Sequence, residues 1–437
     1  VDDRLERSTI RRIFRRIVPL FFAMMFLNYL DRINIGFAGL RMNQDLGFSP
    51  ATFGFGASIF FAGYMLLEVP SNLMLHWLGA RVWLSRILIS WGAIATCMAF
   101  TWSALSFYAL RFGLGLAEAG FMPGVALYFS YWFPARYRAR AIAGYIIAGA
   151  FSAVLGGPIS TMLMTYCNGL AGLHGWQWMF IAEGVPTILL GVFTLFYLTD
   201  RPETAAWLTN EQRAWLQAEL QAETKAIERY GEFRLIDAFR DLRVWLLATL
   251  FGCALIGIYG MLIWLPQIIK SLGRLSDIQI GFLSAVPPLL GVVGTLLVSR
   301  SSDRSGDRKW HLAALYTLGA IGMLGSALSA NPLIAYLCLC LTGLGINSGN
   351  SLFWSLNTSF MTGVAAAAAI ATVNTIAQFG GLIGPWLIGL VRNTTGSFSL
   401  ALIIVAGFLF LAAVMAAALP VHAKPSRGRA SAAPRAV

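Results

Sequence analysis

The sequence is short of charge. Only 12% of its residues are Asp, Glu, Lys or Arg, 57% are hydrophobic, and mean hydropathy is +0.68. A soluble globular domain carries about 25% charged residues, so that class is excluded. Catalytic and nucleotide signatures are missing too. There is no G-x-x-x-x-G-K-[ST], so ATP drive has no support, and no G-x-S-x-G nucleophile elbow. Gly113-Leu114-Gly115 sits inside an apolar run and lacks the third glycine of a dinucleotide loop. The four His residues are scattered and form no metal-ligand spacing. The five Cys (97, 167, 253, 338, 340) fall in or beside apolar segments without disulfide or metal spacing and read as inert buried thiols. An enzyme, a metal and a cofactor are therefore not expected.

What is present is length without charge. Twelve apolar segments are long enough to span a bilayer, near 17–40, 51–75, 82–102, 106–131, 141–165, 176–198, 243–268, 278–299, 310–329, 332–356, 366–391 and 398–420. The expected fold is an all-α membrane protein in the lipid bilayer. The net charge of +12 could suggest nucleic acid, but its placement argues otherwise. With the N-terminus inside, 26 Lys and Arg fall on the cytoplasmic side and 4 on the other, while Arg32 and Arg111 lie within spans. That is the positive-inside asymmetry of a multi-pass inner-membrane protein with both ends in the cytoplasm. Arg11 to Arg16 ahead of an apolar run resembles a signal peptide, but the run is too long and has no cleavage site, so it reads as the first span.

Between Asp200 and Arg243 the composition turns polar, and Thr209-Asn210-Glu211-Gln212 has the form of a capping box opening a charged helix. The chain divides accordingly into a six-helix bundle at 1–200, a cytoplasmic linker at 201–242, a second six-helix bundle at 243–421 and a disordered cytoplasmic tail at 422–437.

Four acids fall inside the spans: Asp31, Glu68, Glu118 and Glu183. Charges at that depth are rare unless they face a cavity or a partner. Arg111 and Glu118, seven residues apart, share a helix face, and Asp31 on the first span reaches a similar depth to Arg111. Three such charges can enclose one cavity, where an arginine grips a carboxylate and a buried acid carries a proton. A structural ion pair between the first and fourth spans is the alternative, and both can hold at once. Arg32, about 100° round the helix from Asp31, is expected to line the outer vestibule. Glu68 and Glu183, with Pro and Gly nearby, read as helix-end or inter-helix hydrogen-bond partners. In the second half, Asn347, Ser351 and Trp354 share one face of the tenth span, and Asn374 pairs with Gln378 on the eleventh. The fifth span offers Gly144, Ala148, Gly149, Ser152, Gly156 and Gly157, a small-residue face suited to close helix contact.

Asp303-Arg304-Ser305-Gly306-Asp307-Arg308, after the second span of the second half, resembles the cytoplasmic loop motif of the major facilitator superfamily; at the matching place the first half keeps only Gly79 and Arg81. Leu30-Asp31-Arg32-Ile33-Asn34, Glu68-Val69-Pro70-Ser71-Asn72, the run from Arg111 to Gly120, Trp132-Phe133-Pro134, Arg138-Ala139-Arg140 and Trp178 to Gly184 together resemble its anion:cation symporter family. The resemblance covers essentially the whole chain. It implies a proton- or sodium-driven carrier of sugar acids, hydroxy-acids or aromatic carboxylates. It implies Asp31 and Glu118 as the protonatable pair and Arg111 as the substrate's counter-charge, with Tyr29 and Tyr64 beside it; Arg32, at the vestibule, joins them as a candidate substrate-binding residue. Ser351, Trp354 and Asn374 match positions that read substrate hydroxyls, with Asn347 and Gln378 beside them. Asp303, Arg304 and Arg308 would lock a cytoplasmic gate.

The function expected is a proton-coupled symporter importing a small organic anion by alternating access, with H⁺ favoured over Na⁺ because no oxygen cage surrounds the acids. An exchanger or uniporter for the same anions is the nearest alternative. A non-transporting receptor is the alternative from another class. A monomer is the default for this architecture.

Overall fold

The computed structural model describes residues 3–228, 242–360 and 364–419. Among the described residues, twelve helices are long and apolar enough to cross a membrane. They are α1 (Asp3–Ala38), α2 (Pro50–Leu78), α3 (Ala80–Phe100), α4 (Ala104–Trp132), α5 (Ala135–Tyr166) and α6 (Gly175–Tyr197), then α7 (Leu242–Leu272), α8 (Asp277–Ser305), α9 (Lys309–Leu328), α10 (Pro332–Asn357), α11 (Thr372–Thr395) and α12 (Ser399–Ala418). Large apolar side chains such as Leu66, Trp77, Phe151, Phe196, Leu296 and Phe410 face outward, as a lipid-facing surface requires. The last 16 residues of the chain, expected as a tail, lie outside the described residues.

The polar connection between α6 and α7 contains a further helix, Asn210–Glu228, opened by the capping box expected at Thr209: the Thr209 hydroxyl accepts from Gln212 N and the Gln212 amide accepts from Thr209 N, both at 3.2 Å. This linker helix lies against the first half. Arg136 joins Glu6 (2.9 Å) and Glu219 (3.1 Å), and Arg138 reaches Glu223 (3.2 Å). The linker thus marks one end of the helix bundle, and the opposite end is called the far end below.

Close contacts between the two halves gather at the far end. Phe53 of α2 meets Trp264 of α7 edge to face at 5.1 Å, and the Trp264 indole donates to Pro385 O of α11. Arg41 pairs with Asp277 at 2.7 Å, and the Lys270 ammonium donates to Leu40 O. Between α5 and α8 the backbones nearly touch: a Cβ on Gly281 would lie 2.7 Å from Gly157 O and would overlap the Thr161 hydroxyl. Only a residue without a side chain permits that approach. The small face of α5 also packs on α1, where Gly149 lies against Tyr29 and Gly156 against Ile33.

One span departs from the sequence reading. The fourth was expected as an unbroken helix over 106–131, but α4 breaks into Ala104–Glu118 and Phe121–Trp132. Gly120 has φ +82°, a left-handed conformation that L side chains resist, and it sits against Ser71. Glu118 is therefore the last helical residue before a break inside the bundle.

Candidate functional site

The site begins with the adjacency of Asp31 and Arg32 on α1. Neighbours on a helix point about 100° apart, so the two side chains enter different surroundings. Arg32 turns toward α4 and forms an ion pair with Glu118, with both side chains buried. Its guanidinium lies 5.5 Å from the Phe60 ring and 5.8 Å from the Tyr64 ring, and its other terminal nitrogen approaches the Tyr259 hydroxyl of α7 at 3.5 Å. Tyr29 stands within electrostatic range of both Arg32 and Tyr259. Arg32 lies between the halves, beneath the far-end contacts, with its side chain 9% exposed. It is Arg32, not Arg111, that pairs with an acid joining α1 and α4.

Asp31 turns the other way. The Trp91 indole of α3 donates to one of its oxygens, and the Asn34 amide, one turn along α1, donates to the other at 2.8 Å. The same Asn34 nitrogen donates to Glu183 of α6 at 2.9 Å, and Ser160 of α5 donates to the second Glu183 oxygen at 2.8 Å. Four helices meet through these side chains.

Arg111 is buried on α4, where it donates to the carbonyls of Gly56 (3.4 Å) and Ala57 (3.2 Å) on α2 and lies 5.0 Å from the Phe60 ring. Among the described residues no carboxylate lies within ion-pair distance of it. Its expected side-chain partners, Asp31 and Glu118, are committed elsewhere.

Glu68 behaves as an inter-helix hydrogen-bond partner. It accepts from Asn374 (3.2 Å) and Thr375 (3.3 Å) of α11, which ties the halves together. Asn374 is therefore directed to α2. Trp354 packs edge to face on Phe251 at 5.2 Å, and Asn347 donates to Gly343 O on its own helix at 2.7 Å while packing against Gly291 of α8. Gln378 is buried in α11, at a break between Ala377 and Phe379, and Ser351 is exposed. The second-half residues are thus dispersed and do not share the Arg32 cluster. Tyr259 does, and sequence reasoning missed it; the one available signal was the lone tyrosine of the seventh span.

At the loop after α8, Arg308 donates to Ser355 O at the linker end of α10 (3.1 Å), while Asp303 and Arg304 are exposed. In the first half, where the acid of the loop motif is missing, Asp200 from the end of α6 supplies one: it accepts from Arg81 N at 2.7 Å, with the Arg81 side chain 3.9 Å away.

Twelve spanning helices, linked by a central helix into two sets joined around buried charges, match a known family along the chain: the profile of the Major Facilitator Superfamily matches residues 21–385 and 274–436. The chain belongs to the Major Facilitator Superfamily. A protein of Agrobacterium vitis, provisionally named a tartrate transporter, is 48% identical over 95% of this chain and 92% of its own length. The quinolone resistance transporter of Acinetobacter baumannii is 40% identical over 94% and 93%. The fold matches the crystal structure of a bacterial homologue of the human lysosomal transporter Spinster in an inward-facing, unoccupied conformation. That match has TM-score 0.77 and 15% identity, covering 92% of this chain and 96% of that one. This protein is a multi-pass membrane transporter of that superfamily and not an enzyme.

Proposed function

We propose that the protein is a proton-coupled symporter of a small organic anion, importing it across the inner membrane with both termini in the cytoplasm. The observation that carries this reading is the buried Arg32–Glu118 pair, with Arg32 also reaching Tyr259 across the interface between the halves. Arginine cannot shed its charge, so a neutral substrate gives it nothing, whereas a carboxylate offers a bidentate partner. Glu118 can shed its charge. Protonating Glu118 breaks the pair and frees Arg32 for the substrate, so proton and anion favour each other's binding, as symport requires. The two halves then rock about this mid-depth site, exchanging the far-end contacts for others.

Arg111 completes the cationic field from α4, held on two backbone carbonyls that a substrate carboxylate can replace. The aromatic wall of Phe60, Tyr64 and Tyr259 suits a compact acid better than a long polyol, because few amide readers face the cluster. The tartrate name of the Agrobacterium relative agrees with a compact hydroxy-acid.

The test is binding of tartrate, galactonate, glucarate, phthalate and hydroxyphenylacetate to purified protein by thermal shift. At least one acid should raise the unfolding temperature saturably, and Arg32→Ala should abolish that rise while Ser351→Ala, at an exposed position, keeps it. If no carboxylate in the panel binds, or if Arg32→Ala binds as the native protein does, the reading is wrong.

A further inference from the structure

Glu183 is a buried acid that the mechanism above leaves unused, and a second acid, Asp31, lies beside it. A single side-chain nitrogen, that of Asn34, donates to both Asp31 and Glu183. Two oxygens bonded to one nitrogen lie within about 6 Å of each other. Neither carboxyl has a cation within ion-pair distance among the described residues, and both side chains are almost wholly buried. Two ionised carboxylates so placed repel each other with little solvent to screen them, and sharing a proton is the ordinary resolution. A second observation points the same way. Asn34 is itself buried and its amide oxygen has no partner, although both of its neighbours at the amide are acids. An amide oxygen is an acceptor, and a protonated carboxyl is the donor it lacks. Because the amide is nearly symmetric in shape, turning it over would present oxygen to a protonated acid where it now presents nitrogen to an ionised one.

The charged groups facing this cluster are few. Asp31 feels Glu118 and Arg111 of α4, and Glu183 feels Asp31; α3 contributes the Trp91 indole and α5 the Ser160 hydroxyl, neither of which ionises.

We propose that Asp31 and Glu183, bridged by Asn34, form a second proton-binding site, separate from Glu118, that holds one proton between two carboxyl groups. The proton moves onto a carboxylate oxygen and leaves from it, with no other bond made or broken. The symport reading routes the driving proton through Glu118; that a further proton is bound at Asp31 and Glu183 does not depend on that reading. Asp31 thereby belongs to a carboxyl pair, and Glu118 works alone on Arg32.

Infrared difference spectroscopy of the purified full-length protein in lipid nanodiscs, without substrate, reads the site directly. Wild type at neutral pH should show a protonated-carboxyl band that disappears on alkaline titration. Glu183→Gln should remove it, because the remaining Asp31 keeps its Trp91 and Asn34 donors and ionises. Glu118→Gln should leave it in place. Ser160→Ala, which deletes one oxygen and one donor to ionised Glu183, should shift the disappearance of the band to higher pH, and it serves where Glu183→Gln does not fold. The proposal is overturned if wild type has no such band at neutral pH, if the band survives in folded Glu183→Gln, or if Ser160→Ala leaves its titration unmoved. Should these spectra behave as expected while uptake ignores a pH gradient, the proton site stands and the symport reading falls.

Discussion

Replacing Glu118 by Gln should lock Arg32 into its anion-accepting condition. In the native protein the two side chains form a buried ion pair, 9% and 3% exposed. Removing one partner of a buried pair typically costs roughly 3–5 kcal/mol, because the other charge is left alone in a poor solvent. The glutamine keeps one oxygen that can accept from Arg32, so part of that cost is avoided. A substrate carboxylate arriving at Arg32 recovers much of the remainder. If it recovers about 1.4–2.8 kcal/mol, affinity at neutral pH rises about 10–100-fold over wild type. The sign with pH follows from linkage. A ligand that binds best when Glu118 is protonated binds the native protein more tightly as pH falls, by up to about tenfold per pH unit. Glu118→Gln mimics the protonated acid, so its affinity should start high and stay nearly flat. Isothermal titration with the best acid of the carboxylate panel, from mildly acidic to alkaline buffer, measures both. A variant that binds more weakly than wild type at neutral pH, or that follows the same pH curve, refutes the release of Arg32 by Glu118.

Two further outcomes follow from the far end and from the charge asymmetry. Gly281→Ala would place a methyl 2.7 Å from Gly157 O, and overpacking of this kind costs about 1–3 kcal/mol. The far-end-closed arrangement should lose about 5–150-fold in population, seen as faster labelling by a thiol reagent of a Cys placed at Asn43; unchanged labelling would mean that the α5–α8 contact is not part of the closure. In a chain stripped of its native cysteines, a membrane-impermeant thiol reagent should label from outside a Cys placed at His174 and not one placed at Glu223, and the reverse pattern would invert the orientation.

The division between what was legible in the sequence and what was not runs along sequence distance. Spans, the linker helix and its Thr209–Gln212 cap are local patterns, and periodicity and capping chemistry reveal them. The small face of α5 is local as well, and it packs as its glycines require. Partners are not local. That Arg32 and Asp31 point apart follows from the helical turn, but that Arg32 points inward to Glu118 depends on how α1 and α4 face each other. The break at Gly120 was hidden inside a continuous apolar run. Tyr259 is 227 residues from Arg32, and Asn374 is 306 from Glu68, so no spacing rule could join them. The same holds for Asp200, which supplies the acid that the first loop motif lacks from the far side of four helices.

The central claim is that a proton gradient drives an organic anion through this protein by way of Glu118. Purified protein in proteoliposomes, preloaded at alkaline pH and diluted into acidic buffer with labelled tartrate or the best acid of the panel, tests it most directly. Wild type should accumulate the anion above its external concentration, and collapse of the gradient by a protonophore should release it. Glu118→Gln should fail to accumulate yet still exchange internal for external anion. Accumulation that is indifferent to the pH gradient, or that persists undiminished in Glu118→Gln, would contradict the account.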